Sequence, residues 1–237
     1  MTAAARGGAA PALSIILPVH NDGAYLAEVV RSYQSVLDRL GRSYELVLVS
    51  NGCTDDSVEV CAGLQAQSSN VVHIDLPVGG WGRAVRAGIA AARGEIICYT
   101  NLARTSAPIL SLLLSYNTAY PDIVVKASRK VRDSWVRRLG SLIYNLECRA
   151  LFDLAVWDIN GTPKVFPRSF SSLLELTRDD DLIDAEFVMR CRQQDYPVVD
   201  VPILSTIRHG GKSTTGYRSA IRMYRGAYAL SRAEPGT

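Results

Sequence analysis

The sequence predicts an α/β fold in which a mainly parallel sheet is covered by helices on both faces. Three observations carry this. Short apolar runs alternate four times with helix-length amphipathic stretches between Leu13 and Thr100, the rhythm of strand–crossover–strand units. The segments after the apolar runs, 18–23, 50–56, 76–82 and 101–107, are rich in polar residues or glycine, as suits ligand-facing loops at the carboxyl ends of parallel strands. The composition is 48% hydrophobic and 21% charged over 237 residues, which is that of a globular chain with a core.

The elements follow in order. Leu13–Leu17 is an apolar run stopped by Pro18, hence a buried strand. Asp22 and Gly23 open an amphipathic helix to about Leu40, ended by Gly41. Tyr44–Val49 is a second strand, and Thr54 and Asp55 cap a helix to about Gln67. Val71–Ile74 is a third strand, Gly80–Ala92 a helix with Gly94 as its stop, and Ile96–Thr100 a fourth strand. The second half is less regular. Ile123–Val125 reads as a strand, and Asp133 to about Leu151 as a helix with Trp135, Leu139, Leu142, Leu146 and Ala150 on its apolar face. Asp180–Gln194 is a helix, Val198–Leu204 a strand and Tyr217–Leu230 a last helix.

Several classes are excluded or disfavoured. A formal charge of +3 is too small for a dedicated nucleic-acid binder. Cys53, Cys61, Cys98, Cys148 and Cys191 include no CxxC pair, and only three histidines accompany them, so a structural zinc site is not expected. The cysteines read as reduced and packed, as in a cytoplasmic protein. The longest apolar run, Ile109–Leu114, is interrupted by Ser111 and is far short of a membrane span. Met1–Ala10 lacks the apolar core of a secretory signal. Any membrane contact is expected to be peripheral, at the inner face.

Four segments carry a resemblance. The first, Leu17-Pro18-Val19-His20-Asn21-Asp22, is similar to an opening loop P-x-Y-N-E, with His for the aromatic and Asp for Glu. The second, Val49-Ser50-Asn51-Gly52-Cys53-Thr54-Asp55, is similar to V-D-D-G-S-x-D with Ser50 and Asn51 in place of the paired acids. The third runs from Gly80-Trp81-Gly82-Arg83-Ala84 to Gly88 and on through Gly94 to Asn101, similar to a G-x-G-x-A-x-x-x-G stretch. The fourth is a set: Arg137, Ser141 and Asn145 on one helical stripe, Asp158-Ile159-Asn160-Gly161-Thr162-Pro163-Lys164, Asp184-Ala185-Glu186, and Arg208-His209-Gly210-Gly211-Lys212-Ser213. In this order they resemble the family-2 glycosyltransferases, in particular the dolichyl- and polyprenyl-phosphate sugar synthases, from Leu13 to Gly216.

The resemblance implies the GT-A fold, a Rossmann-like three-layer α/β/α sandwich with a mainly parallel sheet. It implies a disordered tail over 1–12 and one domain over 13–237, with 13–105 as the nucleotide-sugar half and 106–237 as the acceptor half. It assigns nucleotide-sugar contacts to Pro18, His20, Asn21, Asp22, Ser50, Asn51, Gly82, Arg83, Asn101, Leu102 and Ala103. It assigns acceptor-phosphate contacts to Arg137, Ser141, Arg208, His209, Lys212 and Ser213; Arg129 joins them as part of a basic cluster with Lys130, Arg132, Arg137 and Arg138, which suits a lipid phosphate or an anionic membrane surface and equally a solvated surface. Each string also has a plainer structural reading: a strand end with a helix cap, a glycine turn, a solvated helix face, a basic loop.

The pattern breaks where the family carries D-x-D. Those positions are Asn101, Leu102 and Ala103, and a third contact would fall on Thr105. Mg or Mn is the family's cation, but its usual carboxylate ligands are absent; no cofactor is expected, and Mg or Mn stays open only through the neutral oxygens of Asn101 and Thr105. Fixed cations must then neutralise the departing diphosphate, and Arg104, Arg83, Arg208 and Lys212 are the candidates.

The expected activity is transfer of a sugar, with inversion, from a nucleoside-diphosphate sugar to a polyprenyl-phosphate-like acceptor, without metal. A phosphate acceptor needs no strong base. An alcohol or amine does, and Asp158 and then Asp184 are the candidates, although either also reads as a helix cap. Two alternatives stay open: transfer to a soluble small molecule, and a homologue that binds the nucleotide sugar without turnover. A nucleotidyltransferase is disfavoured, because its glycine–arginine-rich first loop and following lysine are absent after Leu17.

Overall fold

The computed structural model describes residues 9–129, 145–150 and 156–204. Seven strands form one sheet: β1 Leu13–Val19, β2 Tyr44–Asn51, β3 Val71–Leu76, β4 Ile96–Tyr99, β5 Val124–Arg129, β6 Lys164–Pro167 and β7 Val198–Ile203. Their order is β3-β2-β1-β4-β6-β5-β7. All neighbours are parallel except β6, which runs antiparallel between β4 and β5. The helices are α1 Gly23–Arg39, α2 Ser57–Gln67, α3 Trp81–Ala91, α4 Ala107–Ala119 and α5 Ile183–Gln193.

The three layers follow from which side chains each strand sends to each face. Leu13, Ile15 and Leu17 of β1 join Leu46 and Leu48 of β2 under α1, α2 and α4, packed by Leu26, Val30, Tyr33, Cys61, Leu110 and Leu113. Ile16 of β1, Val47 and Val49 of β2, and Ile97 and Tyr99 of β4 face the other way, against Ala84, Val85 and Ile89 of α3 and Phe187 of α5. Strands apolar on both faces are what a covered parallel sheet requires, so the sequence shows them as runs rather than alternations.

Four expectations are corrected. Pro18 does not end β1, which pairs on to Val19. The β1–β4 ladder stops at Ile16↔Tyr99, and the Ile16 carbonyl that accepts the Thr100 amide (3.1 Å) marks the edge facing β4. Pro18, two residues on, faces the same edge beyond the last rung, where its missing N–H costs no ladder bond. Helix α2 starts at Ser57 because Asp55 works before it: its Oδ1 accepts the Ser57 amide (3.1 Å) and its Oδ2 the Gly23 amide (3.1 Å), tying the starts of α1 and α2 together. Gly94 is not the stop of α3, which ends at Ala92 in an extended conformation. Its bare Cα instead admits β1, since a Cβ there would lie 2.6 Å from the Ser14 amide. In the 145–150 helical segment Leu146 and Ala150 are exposed, while Asn145 and Cys148 turn inward.

Two elements are not legible in the sequence. The Ile109–Leu114 run is the heart of α4, entered with Pro108 in the first turn. Strand β6 begins with a buried lysine. Before Leu13, Pro11 is buried and the Ala12 amide donates to the Ser43 carbonyl (3.0 Å), so the packed chain begins ahead of the expected boundary. The rest of the Asp133–Leu151 helix and the Tyr217–Leu230 helix lie outside the described residues. No helix among the described residues is long and apolar enough to cross a membrane.

All five cysteines are free thiols; four are buried and Cys53 is partly exposed. Burial pushes the thiols of Cys61 and Cys191 up to about 12, and that of Cys98 higher still. Alkylation of the folded protein at mildly alkaline pH is therefore expected to label Cys53 first, and the other four only after denaturation; rapid labelling of Cys61 or Cys98 would contradict this core.

Candidate functional site

The loops after β1, β2 and β3 are joined at the carboxyl edge of the sheet. The amide of His20 donates to Asp22 Oδ2 (3.0 Å), and His20 Nδ1 lies 2.8 Å from the Asn51 carbonyl. Asn21, at φ +57°, turns its Oδ1 to accept the Thr54 amide (2.7 Å). Asp22 also accepts from the Tyr25 hydroxyl, and its amide donates to Ser57 Oγ (2.9 Å). Gly52, at φ +60°, lets the β2 turn lie against the next loop, because a Cβ there would stand 2.5 Å from the Gly79 amide. His20, Asn21, Asp22 and Asn51 thus belong to one connected rim, and Pro18 and Ser50 sit in the ends of β1 and β2 that carry it.

Within that rim Asn51 is structural in its contacts. It is 4% exposed, its Nδ2 donates to the Val19 carbonyl (2.7 Å), and its Oδ1 accepts the Gly80 amide (3.0 Å). One side chain therefore links the ends of β1 and β2 to the entry of α3, and its polar atoms are already engaged where the resemblance assigns a nucleotide-sugar contact. Ser50 is fully buried; its hydroxyl donates to Asp75 Oδ1 (2.7 Å) and lies 2.8 Å from His73 Nε2. Burial lowers the His73 pKa, and Asp75 pulls the other way. A serine that gives its proton to the carboxylate, without the imidazole between them, does not have the arrangement of a nucleophile.

The entry of α3 is held by the loop before α5. The Arg83 amide donates to the Asp179 carbonyl (3.0 Å), and Gly82 is buried against the 178–180 backbone. The Asp179 carboxylate takes Arg83 (3.1 Å) and Arg86 (2.5 Å) together, and these guanidinia hold its pKa below the ordinary carboxylate value. Arg83, expected at the diphosphate, is thus partnered here. Glu186 of α5 fixes the same loop: it accepts the amides of Thr177 (2.9 Å) and Arg178 (2.9 Å) and pairs with Arg190 (2.8 Å).

After β4, the Asn101 carbonyl accepts the amides of Arg104 (3.1 Å) and Thr105 (3.0 Å). Asn101 Oδ1, a single neutral oxygen, is buried with no hydrogen-bond partner among the described residues. Leu102 and Ala103 are buried and supply none, and the Thr105 hydroxyl is engaged by that of Thr100 at 2.7 Å. Among the described residues no group of three His, Cys, Asp or Glu could hold a metal ion. These donors do not fit Mg or Mn, which take several hard and mostly anionic oxygens.

Among the described residues three further ion pairs with a buried member involve β5 and β6. Lys126 of β5 and Lys164 of β6 are cross-strand partners, both fully buried. Lys126 Nζ reaches Asp200 (2.5 Å) and the Trp157 carbonyl (2.5 Å). Lys164 Nζ pairs with Asp184, which also accepts from the Tyr99 hydroxyl (2.9 Å) and Trp81 Nε1 (3.1 Å). Asp184 is 4% exposed. Arg129, at the carboxyl end of β5, grips Asp158 through Nε (2.7 Å) and NH2 (2.7 Å), and its amide donates to the same carboxylate (2.8 Å). Both candidate bases are therefore bound by cations rather than open. Lys126 and Asp179 join the site residues without having been expected there, while Trp81, Lys164 and Glu186 stand within the resembling segments; the available signal for Lys126 is its place inside the apolar string Val124–Ala127. Arg137, Ser141, Arg208, His209, Lys212 and Ser213 lie outside the described residues.

A mainly parallel α/β sheet with a joined loop rim at its carboxyl edge, and a later loop, 178–180, packed on the start of α3, has the layout of the GT-A glycosyltransferase fold. The family model for glycosyl transferase family 2 matches residues 14–171. The chain belongs to glycosyl transferase family 2, whose members draw on nucleoside-diphosphate sugars. Among solved structures it is similar to glucosyl-3-phosphoglycerate synthase from Mycobacterium tuberculosis in complex with phosphoglyceric acid, at 18% identity and TM-score 0.71, over 96% of this chain and 82% of that one. The same enzyme in complex with Mn2+, UDP-glucose and phosphoglyceric acid matches at 18% identity and TM-score 0.70, over 96% and 81%. A further mycobacterial protein matches at 16% identity and TM-score 0.72, over 96% and 76%.

Proposed function

We propose that this chain transfers a glycosyl group from a nucleoside-diphosphate sugar to a small soluble acceptor carrying an acidic group, and does so without a divalent metal. The observation that carries the acceptor is Arg129, a guanidinium at the carboxyl end of β5 on the acceptor side of the loop rim. The phosphoglyceric acid held by similar solved structures supports an acidic small molecule. A polyprenyl phosphate is the weaker reading. Asn145, the third member of the stripe the resemblance assigns to a lipid phosphate, is 7% exposed, and its Oδ1 accepts the Ile159 amide (2.8 Å).

Metal independence is supported by the donor set at Asn101–Ala103. Charge on the departing diphosphate then falls to side chains: Arg104 in that loop, and Arg83 and Arg86 at the start of α3. One carboxylate, Asp179, stands against two of them, so that trio keeps a net positive charge. Such preorganised charge is the main electrostatic lever on a leaving group.

The test is turnover with UDP-, GDP- and dTDP-sugars, using phosphoglyceric acid and a detergent-solubilised polyprenyl phosphate as rival acceptors, in excess chelator. Transfer to the soluble acid is expected, with a rate unchanged within about twofold when Mg or Mn is added. Transfer to the lipid alone would overturn the acceptor, and rescue by metal would overturn the metal independence. A homologue without turnover is favoured by the loss of the same carboxylates, and would show nucleotide binding with no product from any pair.

A further inference from the structure

We infer that Asp158 is a positioning residue that aims Arg129 at the acidic group of the acceptor, and is not the general base. The inference rests on the acidic acceptor proposed above and assigns the residue that fixes its recognition.

A base needs an open lone pair facing the acceptor. Asp158 is 5% exposed, and Arg129 engages both of its oxygens: Oδ1 accepts NH2 (2.7 Å), while Oδ2 accepts Nε (2.7 Å) and the Arg129 amide (2.8 Å). Three bonds from one carboxylate to one residue fix its backbone and its side chain together. The pairing is side-on, through Nε and NH2. That leaves the other edge of the guanidinium, NH1 with the second NH2 hydrogen, as a two-pronged donor suited to a carboxylate or phosphate. No other hydrogen bond of the Arg129 side chain involves a described residue, and 17% of that side chain is exposed.

The segment bearing Asp158 is itself braced against β5. Asp158 sits at φ +51°, and its carbonyl accepts the Gly161 amide (2.7 Å). Gly161 lies so close to the strand that a Cβ there would stand 1.9 Å from the Ala127 carbonyl. The Ile159 amide is tied to Asn145. The carboxylate therefore stands at a fixed distance from the end of β5, as a clamp requires and as a proton carrier does not.

The experiment measures calorimetric affinity for phosphoglyceric acid and for inorganic phosphate in the presence of UDP, together with turnover against pH. It compares the wild type with Arg129→Ala, Arg129→Lys, Asp158→Asn and Asp158→Glu. Asp158→Asn and Arg129→Lys are each expected to weaken acid binding by roughly tenfold to a hundredfold, with UDP affinity kept. Turnover of Asp158→Asn at saturating acceptor is expected to keep the wild-type pH profile. Asp158→Glu keeps the charge but shifts the fork by one methylene; it is expected to weaken acid binding as well, and gives the same reading should the Asn variant fail to fold. If the wild type binds neither acid, or Arg129→Ala binds them unchanged, the acidic-acceptor reading falls. If Arg129→Ala loses binding while both Asp158 variants keep it, the clamp alone falls. A loss of turnover of a hundredfold or more in Asp158→Asn, with binding kept and the acid limb of the profile gone, makes Asp158 the base and overturns the inference.

Discussion

Lys164→Met is expected to destabilise the protein by about 3–5 kcal/mol, the usual cost of leaving one member of a buried ion pair alone. Lys164 is fully buried and Asp184 nearly so. Around the carboxylate stand the ammonium, the Tyr99 hydroxyl and the indole N–H of Trp81. The two neutral donors would remain in the variant, but neither compensates a full charge taken out of water. Burial lowers the lysine's own pKa while Asp184 opposes that shift, so the ammonium depends on this partner. A methionine fills the volume and contacts the rings of Tyr99 and Phe187, which the Lys164 Nζ already approaches at 5.2 and 5.7 Å. Packing is thus nearly conserved and the charge is what is tested. Urea unfolding of Lys164→Met, and of Lys164→Met with Asp184→Leu, reads it. The double variant is expected to regain most of the loss, because it removes both charges. A single variant within about 1 kcal/mol of wild type would mean that Asp184 has water or another cation to turn to.

That pair also shows where the sequence stops being legible. The first, second and fourth strands can be read because each is mostly apolar on both faces, and the edge strand β3 because it opens on the buried Val71 and Val72; each is followed by a polar loop, so local pattern and tertiary role agree. The loop rim is legible for the same reason: Pro18 to Asp22 and Ser50 to Asp55 sit at strand ends whose position the pattern fixes. Strand β6 is not, because it has four residues and opens on a charge, and a short strand enclosed by neighbours shows no periodicity of its own. The roles of Asp158 and Asp184 stay open in the sequence for a different reason. Their partners lie 29 and 20 residues away, and what decides between a free carboxylate and a clamped one is a contact no local string contains. Arg83 falls at the expected helix end, but the loop carrying Asp179, 96 residues on, takes its charge first.

Asn51→Asp, which restores the acid seen in the family's second motif, is expected to harm this protein rather than improve it. The Nδ2 group of Asn51 donates to the Val19 carbonyl at 2.7 Å, and a carboxylate would set an anionic oxygen against that carbonyl in a buried position. The bond from the Gly80 amide to the other oxygen would survive. Losing a donor and leaving two acceptors face to face costs about 2–4 kcal/mol, more than the 1–3 kcal/mol or so expected for Asn51→Ala, which leaves unpaired groups but no repulsion. Donor affinity is expected to fall with stability in both variants, because the same side chain holds the β1 and β2 ends to the entry of α3. The pH dependence separates the two. A protonated carboxyl at position 51 could donate to the Val19 carbonyl again, so folding raises the pKa of the new group above the unfolded value of about 3.9. A group whose folded pKa is raised contributes its stability below the unfolded pKa and loses it as pH rises through the folded one. The Asn51→Asp deficit should therefore shrink toward acid and grow toward neutral pH, while the Asn51→Ala deficit stays level. Urea midpoints taken from about pH 4 to about pH 8, across the titration of such a carboxyl, measure this. Parallel curves for the two variants would show that position 51 no longer faces the Val19 carbonyl, and the link from the donor rim to α3 would have to be sought elsewhere.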